Sequence, residues 1–214
     1  MISSTYFSNV IDQYRNENNY NHSREYSWNH CYNYFCEVRK DSLDDETVDR
    51  LCLNLAFFLA SWGMYRGSAF LFKLDYKVHE PVVREIMKSD YADLQGIKCS
   101  KYYEECFNTL FKLVGFIRNA YSSYVVNGKT PNVTDTLVTK ILLGTLCCTP
   151  AYDACFVKAL RKYQINSAFN KDSFQQLVSL CNNNNLLESV DSQIDLPDMK
   201  LIDMGFWEIG FRKA

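Results

Sequence analysis

The sequence predicts an all-α protein, a globular bundle of many helices, and three observations support this fold class. Apolar residues recur every three or four positions along most of the chain, which is the period of an amphipathic helix. The chain has only 8 Gly and 4 Pro in 214 residues, which is few for a β-sandwich with many turns. It is 47% hydrophobic and 22% charged, so it is able to bury a large core.

The first part of the chain contains two well-marked helices and a short one. Residues 23–40 form the first predicted helix, with Ser23 as its cap. The acids at 44–46 mark the start of the second, because carboxylates are favoured at the positive end of the helix dipole. This helix ends at Trp62-Gly63, and residues 68–73 form a short one.

The later helices are separated by clear breaks. Glu80-Pro81 starts a helix, since Pro suits the first turn, where its missing N–H costs nothing. Residues 100–126 form a long helix that stops at Asn127-Gly128. Four more helices follow, at 134–147, 151–163, 173–181 and 199–211. The pattern predicts roughly nine or ten helices. They form a single domain, residues 1–214, with a lobe boundary near 127–131.

No targeting or membrane-spanning segment is evident in the sequence. Residues 1–20 carry polar side chains at every second or third position and lack the apolar run of a secretory signal. The most apolar run, 51–62, is interrupted by Asn54 and is too short to cross a bilayer. We therefore expect a cytoplasmic protein with no membrane partner, whose nine Cys are buried thiols rather than disulfides.

Several kinds of chemistry are disfavoured by the motifs that the sequence lacks. The Cys and the three His do not have the paired, short spacing of a zinc site, so no metal is predicted. Glycine-rich phosphate loops are missing, and so is the Gly-x-Ser-x-Gly turn of many hydrolases. The sequence therefore predicts no cofactor.

Charge is distributed unevenly along a nearly neutral chain. The net charge is −2, which excludes a basic coat over the whole protein. Residues 129–171 nevertheless carry a net charge of +4, and residues 172–203 carry −5. This asymmetry is compatible with a local surface for a polyanion backbone. Solvated helix faces are the alternative interpretation.

Three segments combine aromatic, glycine and charged residues more densely than packing requires. They are residues 61–67, 139–153 and 200–207. In the second segment, Asp153 follows a Pro-containing turn and begins a helix. The helix dipole and free backbone amides stabilise a carboxylate at that position. Asp153 is therefore either a helix cap or a positioned carboxylate base.

The second segment also has a recognisable order of motifs. A Thr-Lys-Ile-Leu-Leu run at 139–143 is followed by Pro-Ala-Tyr-Asp-Ala at 150–154 and by a basic helix with Lys158, Arg161 and Lys162. In this order the last third of the chain resembles proteins of the helix-hairpin-helix DNA glycosylase fold. The resemblance implies a hairpin that binds the DNA backbone and Asp153 as the catalytic carboxylate that assists base loss. It also implies Lys140 as a backbone contact or an imine-forming amine.

Two functions of different classes are predicted. In the first, this is a DNA-binding protein that acts on a flipped base: Trp62 or Tyr65 stacks on the base, and Arg66 and the basic helix contact the strand. In the second, it is a non-catalytic interaction module, of a mobile-element or phage-related kind, whose aromatic surface docks a protein partner. The 15 Tyr and 14 Phe suit either function.

Overall fold

The computed structural model describes residues 2–39 and 43–212. Within them the β-type pairing is one isolated bridge, between Val126 and Lys129, and the regular structure is helical. The predicted all-α fold class is confirmed. The α-helices are α1 (Ser4–Asn18), α2 (Glu25–Val38), α3 (Asp45–Ser61), α4 (Glu80–Ile86), α5 (Glu104–Ser122), α6 (Asp135–Thr145), α7 (Ala154–Lys162), α8 (Lys171–Asn183) and α9 (Asp198–Phe211). Short 3-10 helices lie at Phe70–Lys73, Tyr76–His79, Ser89–Leu94 and Cys99–Lys101.

Side chains cap several helix starts that the sequence marks. Asp44 accepts a hydrogen bond from the Thr47 amide (2.8 Å), and Thr134 accepts one from the Leu137 amide (3.2 Å). Each bond satisfies one of the N–H groups that the start of a helix leaves without a partner. The starts of α3 and α6 are therefore where the local sequence predicts them.

The structure differs from the prediction at α1 and α5. α1 is a helix that was not predicted, although its buried apolar residues lie on one face: Phe7, Val10, Ile11 and Tyr14. α5 begins at Glu104 rather than at position 100, because a 3-10 helix precedes it, and it ends at Ser122. The predicted end of the first helix, at Lys40, lies outside the described residues.

Two helices, α6 and α9, lie at the centre of the bundle. Every residue in 137–145 is buried, and so is nearly all of α9. Helices that are buried on every side are normally apolar all round. α6 nevertheless contains Lys140, and α9 contains Lys200, Asp203 and Glu208, all of them buried. Buried charges need partners in the core, and here the partners of Lys140, Lys200 and Asp203 lead to the candidate site.

Glycine allows α9 to approach its neighbours closely. A Cβ atom on Gly210 would overlap the carbonyl oxygen of Cys155 on α7, and one on Gly205 would overlap the ring of Phe7 on α1. These two crossings fix the position of α9. They therefore also fix the charged side chains that α9 carries into the core.

The chain turns sharply at Asn127-Gly128. Both residues have positive φ, 51° and 73°, and Val126 pairs with Lys129 across them. This sequence and these dihedral angles are typical of a tight hairpin turn. One hydrophobic core contains residues from both sides of the turn, including Tyr121 and Leu137.

Candidate functional site

The three dense segments of the sequence meet around Trp62. The Lys140 ammonium donates a hydrogen bond to the Trp62 carbonyl (2.7 Å), which joins the second segment to the first. The Lys200 ammonium lies 5.1 Å from the centre of the Trp62 ring, and Asp203 accepts a hydrogen bond from the Ala151 amide (2.8 Å). We call this group the Trp62 cluster and define it by nine residues: Arg24, Glu25, Trp28, Trp62, Arg66, Lys140, Asp153, Lys200 and Asp203.

Lys200 is the central cation of the cluster and is wholly buried. Its ammonium lies 4.9 Å from the ring centre of Trp28, in addition to its contact with Trp62. The Glu25 carboxylate is 3.0 Å away, and the Asp203 carboxylate is 3.8 Å away. Burial lowers the pKa of Lys200, but the two carboxylates outweigh burial and raise the pKa above the ordinary lysine value. Lys200 therefore stays protonated, and ion pairs and cation–π contacts stabilise its ammonium.

Glu25 connects the buried charge to the surface. One of its oxygens faces Lys200, and the other accepts a hydrogen bond from the Tyr14 hydroxyl. Burial and the Glu25 charge both raise the pKa of Tyr14, so this hydroxyl stays protonated and donates. Glu25 and Tyr14 also line a cavity of about 390 Å³ beside the start of α2. Glu25 therefore borders this cavity, while its oxygen that faces Lys200 is buried.

Lys140 is a second buried amine, but its surroundings lower its pKa, whereas those of Lys200 raise it. Burial lowers the pKa of Lys140. The charges of Asp153 and Asp203 oppose this shift, and those of Arg24 and Arg66 add to it. An amine with a lowered pKa is a better nucleophile near neutral pH than an exposed lysine. The environment of Lys140 thus suits imine chemistry, and the Trp62 carbonyl fixes its position.

Asp203 is the most deeply buried carboxylate of the cluster. Burial raises the pKa of Asp203 to about 6; Asp153 and Glu25 add to the rise, and Lys200 and the Ala151 amide oppose it. The carboxyl group therefore takes up a proton in mildly acidic solution. The charge of the cluster becomes more positive when it does.

The exposed side of the cluster consists of Trp62, Arg24 and Arg66. Trp62 is half-buried, and its ring N–H donates to the Ser27 hydroxyl (3.2 Å). The Arg24 guanidinium lies 4.6 Å from the centre of the Trp62 ring. Arg66 folds over Gly63, where a Cβ atom would lie 3.3 Å from the guanidinium carbon. Both arginines are exposed, and within the described residues neither forms an ion pair.

The charges of the cluster do not cancel when all its ionisable side chains are charged. Its four cations then exceed its three carboxylates by one, and protonation of Asp203 adds another positive charge. The cations are Arg24, Arg66, Lys140 and Lys200, and the carboxylates are Glu25, Asp153 and Asp203. A surface with uncancelled positive charge attracts anions.

Asp153 caps α7. One of its carboxylate oxygens accepts hydrogen bonds from the amides of Cys155 (3.0 Å) and Phe156 (3.1 Å). The side chain is half-buried, and its charge raises the pKa of Lys140. Asp153 therefore has the structural role of a cap and lies within electrostatic range of the amine.

Tyr65 is held by a buried histidine. The ring nitrogens of His79 lie 2.7 Å from the Tyr65 hydroxyl and 2.5 Å from the Tyr121 hydroxyl. Burial lowers the pKa of His79 to about 3, so the ring is neutral and has one N–H. Tyr121 is wholly buried, so its proton goes to Nδ1, and Nε2–H then donates to Tyr65. The Tyr65 hydroxyl is thus engaged by this chain, and its ring meets His79 edge-on.

The basic residues of α7 are exposed and share one face, since they are three and four positions apart. Lys162 donates to the Ile209 carbonyl (2.9 Å), and Arg161 reaches the Ser167 hydroxyl (3.5 Å). Lys158 makes no such bond within the described residues. No hydrogen bond or ion pair in that part of the chain joins these three side chains to the Trp62 cluster.

The turn between α6 and α7 is the one that the resemblance assigns to the DNA backbone. Residues 146–152 are all buried, and a Cβ atom on Gly144 would overlap the Phe58 ring. A buried turn offers no surface to a phosphate backbone. Any DNA contact made by this conformation has to come from other residues.

Known proteins provide no relative from which a function is transferable. The chain matches no protein-family model, no curated protein and no solved structure. Over residues 2–39 and 43–212, no group of three or more His, Cys, Asp and Glu is placed to hold a metal ion. In the same ranges, no helix is long and apolar enough to cross a membrane. The glycosylase resemblance stays a prediction.

The sequence pointed to Trp62, Lys140 and Asp153 as site residues, but it assigned no role to Glu25, Lys200 or Asp203. Glu25 lies in the first turn of a helix, where acids are common, so no local signal distinguishes it. Lys200 and Asp203 carry a usable signal: they are charged residues three positions apart in a helix that is otherwise nearly all apolar.

Proposed function

We propose that this protein binds DNA through the exposed side of the Trp62 cluster. The observation that carries the proposal is the pair of exposed arginines, Arg24 and Arg66, which flank a half-buried indole without a carboxylate partner in the described residues. Guanidinium groups bind phosphate through paired hydrogen bonds. The excess positive charge of the cluster favours the same ligand.

Single-stranded or unpaired DNA suits this site better than an intact duplex. Proteins that bind single strands combine cationic side chains with an aromatic ring on which a base stacks. Arg24 already lies over the Trp62 ring, at 4.6 Å, so a base that stacks on this face displaces the guanidinium towards the neighbouring phosphate. A base inside a duplex is not free to do this unless it is extruded.

The exposed face of α7 is the proposed extension of this surface. Lys158 and Arg161 supply two further positive charges, while the Lys162 ammonium is already engaged by the Ile209 carbonyl. Their contribution is tested by replacing Lys158 and Arg161 together with Gln, which leaves the Lys162 bond intact.

Fluorescence anisotropy with labelled single-stranded and duplex DNA tests the proposal between about 50 and 200 mM salt. Arg24→Gln with Arg66→Gln should weaken binding to every sequence and reduce the salt slope for single strands by about 1.4, since two phosphate contacts are lost. Lys98→Gln with Lys101→Gln removes two exposed charges elsewhere and is the matched control. Equal losses in both double variants, or no binding by the unmodified protein at low salt, would refute the proposal.

Base release is a further step of the same proposal, and it rests on Asp153 and Lys140. Asp153 first stabilises the positive charge that develops on the sugar as the glycosidic bond breaks; a water molecule supplies OH to C1′ and a proton to the departing base. The neutral amine of Lys140 then condenses with the aldehyde of the opened abasic sugar, which forms an imine and releases water. Borohydride should then link the protein to DNA that contains an abasic site. Lys140→Met should abolish the covalent product, and Asp153→Asn should slow base release without weakening DNA binding.

A protein-interaction surface is the second candidate function, and α3 is the observation that favours it. Leu53 (54% exposed) and Phe57 (61% exposed) are four residues apart and form an apolar stripe on its outer face. Leu53→Ser with Phe57→Ser should abolish capture of a protein partner and leave DNA binding unchanged. Unchanged capture of the partner by this variant would count against an interaction surface on α3.

A further inference from the structure

A second cavity, of about 570 Å³, lies between residues 64–73 and the segment that joins α5 to α6. Its volume is in the range of small-molecule sites, about 300–1,000 Å³. None of the nine residues that define the Trp62 cluster lines it. The cavity is therefore a separate feature with no role in the proposed DNA contact.

The lining of this cavity includes a substantial apolar part. Met64, Phe70 and Leu71 contribute from one side of the cavity; Val126 contributes from the segment that joins α5 to α6, and Leu137 from α6 itself. Phe70 is also packed against Tyr121 of the core, so this part of the lining belongs to a fixed framework. Such a surface suits a compact hydrocarbon or aromatic body.

The charged part of the lining is purely cationic. Lys73 and Lys129 both line the cavity, and no Asp or Glu is among its described lining residues. Neither ammonium forms a hydrogen bond or an ion pair in the described ranges. The nearby Asp135 does not neutralise them, because one of its oxygens pairs with Arg118 and the other accepts from the Phe169 amide (2.9 Å). The cavity therefore presents two uncompensated positive charges.

Neutral polar groups complete the cavity. Ser68, Thr130 and Asn132 lie along the lining and are able to donate hydrogen bonds to a charged headgroup. The Asn127-Gly128 turn, pinned by the bridge from Val126 to Lys129, fixes the backbone that carries one of the two lysines.

We propose that this cavity is a binding site for a small amphipathic anion. Its ligand has a compact apolar body and a single carboxylate, sulfonate or phosphate headgroup that lies against Lys73 and Lys129. The body packs on the apolar part of the lining. This site and its ligand are independent of DNA binding at the Trp62 cluster.

Isothermal titration with three naphthalene probes tests the charge requirement on the full chain. Naphthalene-1-sulfonate should bind saturably at one site, naphthalene-1-methanol about tenfold more weakly, and the naphthylmethylammonium cation not at all. Lys73→Gln with Lys129→Gln should weaken the sulfonate about tenfold. The control, Lys98→Gln with Lys101→Gln, should leave its affinity unchanged. Equal affinities for the sulfonate and the alcohol, or for the two double variants, would overturn the proposal.

Occlusion of the cavity tests its location. Asn132→Trp and, separately, Thr130→Trp place a large ring at an exposed lining position and should abolish sulfonate binding without lowering the melting temperature. Retention of binding in both variants places the probe elsewhere and rejects the site. Displacement of the sulfonate by single-stranded DNA would also reject it, because the cavity would then be part of the DNA surface.

Discussion

Replacement of Asp203 by Asn should change the way in which stability depends on pH. Asn has nearly the shape of Asp and keeps an oxygen to accept from the Ala151 amide, a bond of 2.8 Å in the structure. It lacks the negative charge that lies 3.8 Å from the Lys200 ammonium. Lys200 retains its closer partner, Glu25, at 3.0 Å, so the variant is expected to fold.

The size of the effect follows from the pKa of Asp203. Burial raises this pKa from an ordinary value of 3.8 to about 6, so between these values the folded state holds a proton that the unfolded chain releases. Stability from this group therefore increases as the pH falls, by about 2.4 kcal/mol between pH 7.5 and 4. The Asn variant lacks this gain. Buried His79 acts in the opposite direction, but it does so in both proteins and cancels in their difference.

Urea unfolding followed by circular dichroism measures this difference at a series of pH values. The free energy of unfolding of the unmodified protein, minus that of Asp203→Asn, should rise by about 2.4 kcal/mol as the pH falls from 7.5 to 4. Asp195→Asn removes an exposed carboxylate and controls for the loss of one negative charge. A flat difference, or one that falls in acid, would show that Asp203 is not the buried, protonatable group described above.

Three further predictions concern packing, capping and acid sensitivity. Gly210→Ala should destabilise the protein by about 3 kcal/mol or more in the same urea assay, because the added methyl group would overlap the backbone of Cys155. The control, Gly115→Ala, places its methyl group where no atom lies within 4 Å, so it should be neutral or stabilise the protein by up to about 1 kcal/mol. Asp153→Ala should cost about 1 kcal/mol and Asp153→Asn only a few tenths, since Asn also caps helices; equal losses would argue against the cap. His79→Gln should reduce the loss of stability in acid. Burial lowers the pKa of His79 from 6.5 to about 3, so the free energy of unfolding of the unmodified protein should fall by about 3 kcal/mol between pH 7 and 4 because of this group, and the variant should lack that fall.

Most helix positions were predictable because the signals that set them act over a few residues. Asp44, Thr134 and Asp153 each cap a helix that begins within one residue of them, and Trp62-Gly63 ends another. α1 was missed because its polar residues are numerous and its apolar face is narrow. The α5 start was misplaced because residues 99–101 form a 3-10 helix, whose local sequence resembles the first turn of an α-helix.

The candidate site was only partly predictable, because its contacts join residues that are distant in sequence. The local sequence around Trp62 and around Lys140 indicates that both are candidate site residues. It does not indicate that the Lys140 ammonium donates a hydrogen bond to the Trp62 carbonyl. Glu25 is unremarkable until α9 places Lys200 beside it. A buried charge in the sequence indicates that a partner exists, but only the packing of the helices shows which residue it is.

The pairing of Glu25 with Lys200 also has a consequence for synthesis on the ribosome. The two residues are 175 positions apart in the chain. At about 5–20 residues per second, translation therefore separates their appearance by roughly 10–35 s. During that interval the nascent chain has Trp28, Trp62 and Glu25 without the Lys200 ammonium that packs among them. The apolar surface that α9 covers in the folded protein is therefore exposed to water until α9 has been synthesised.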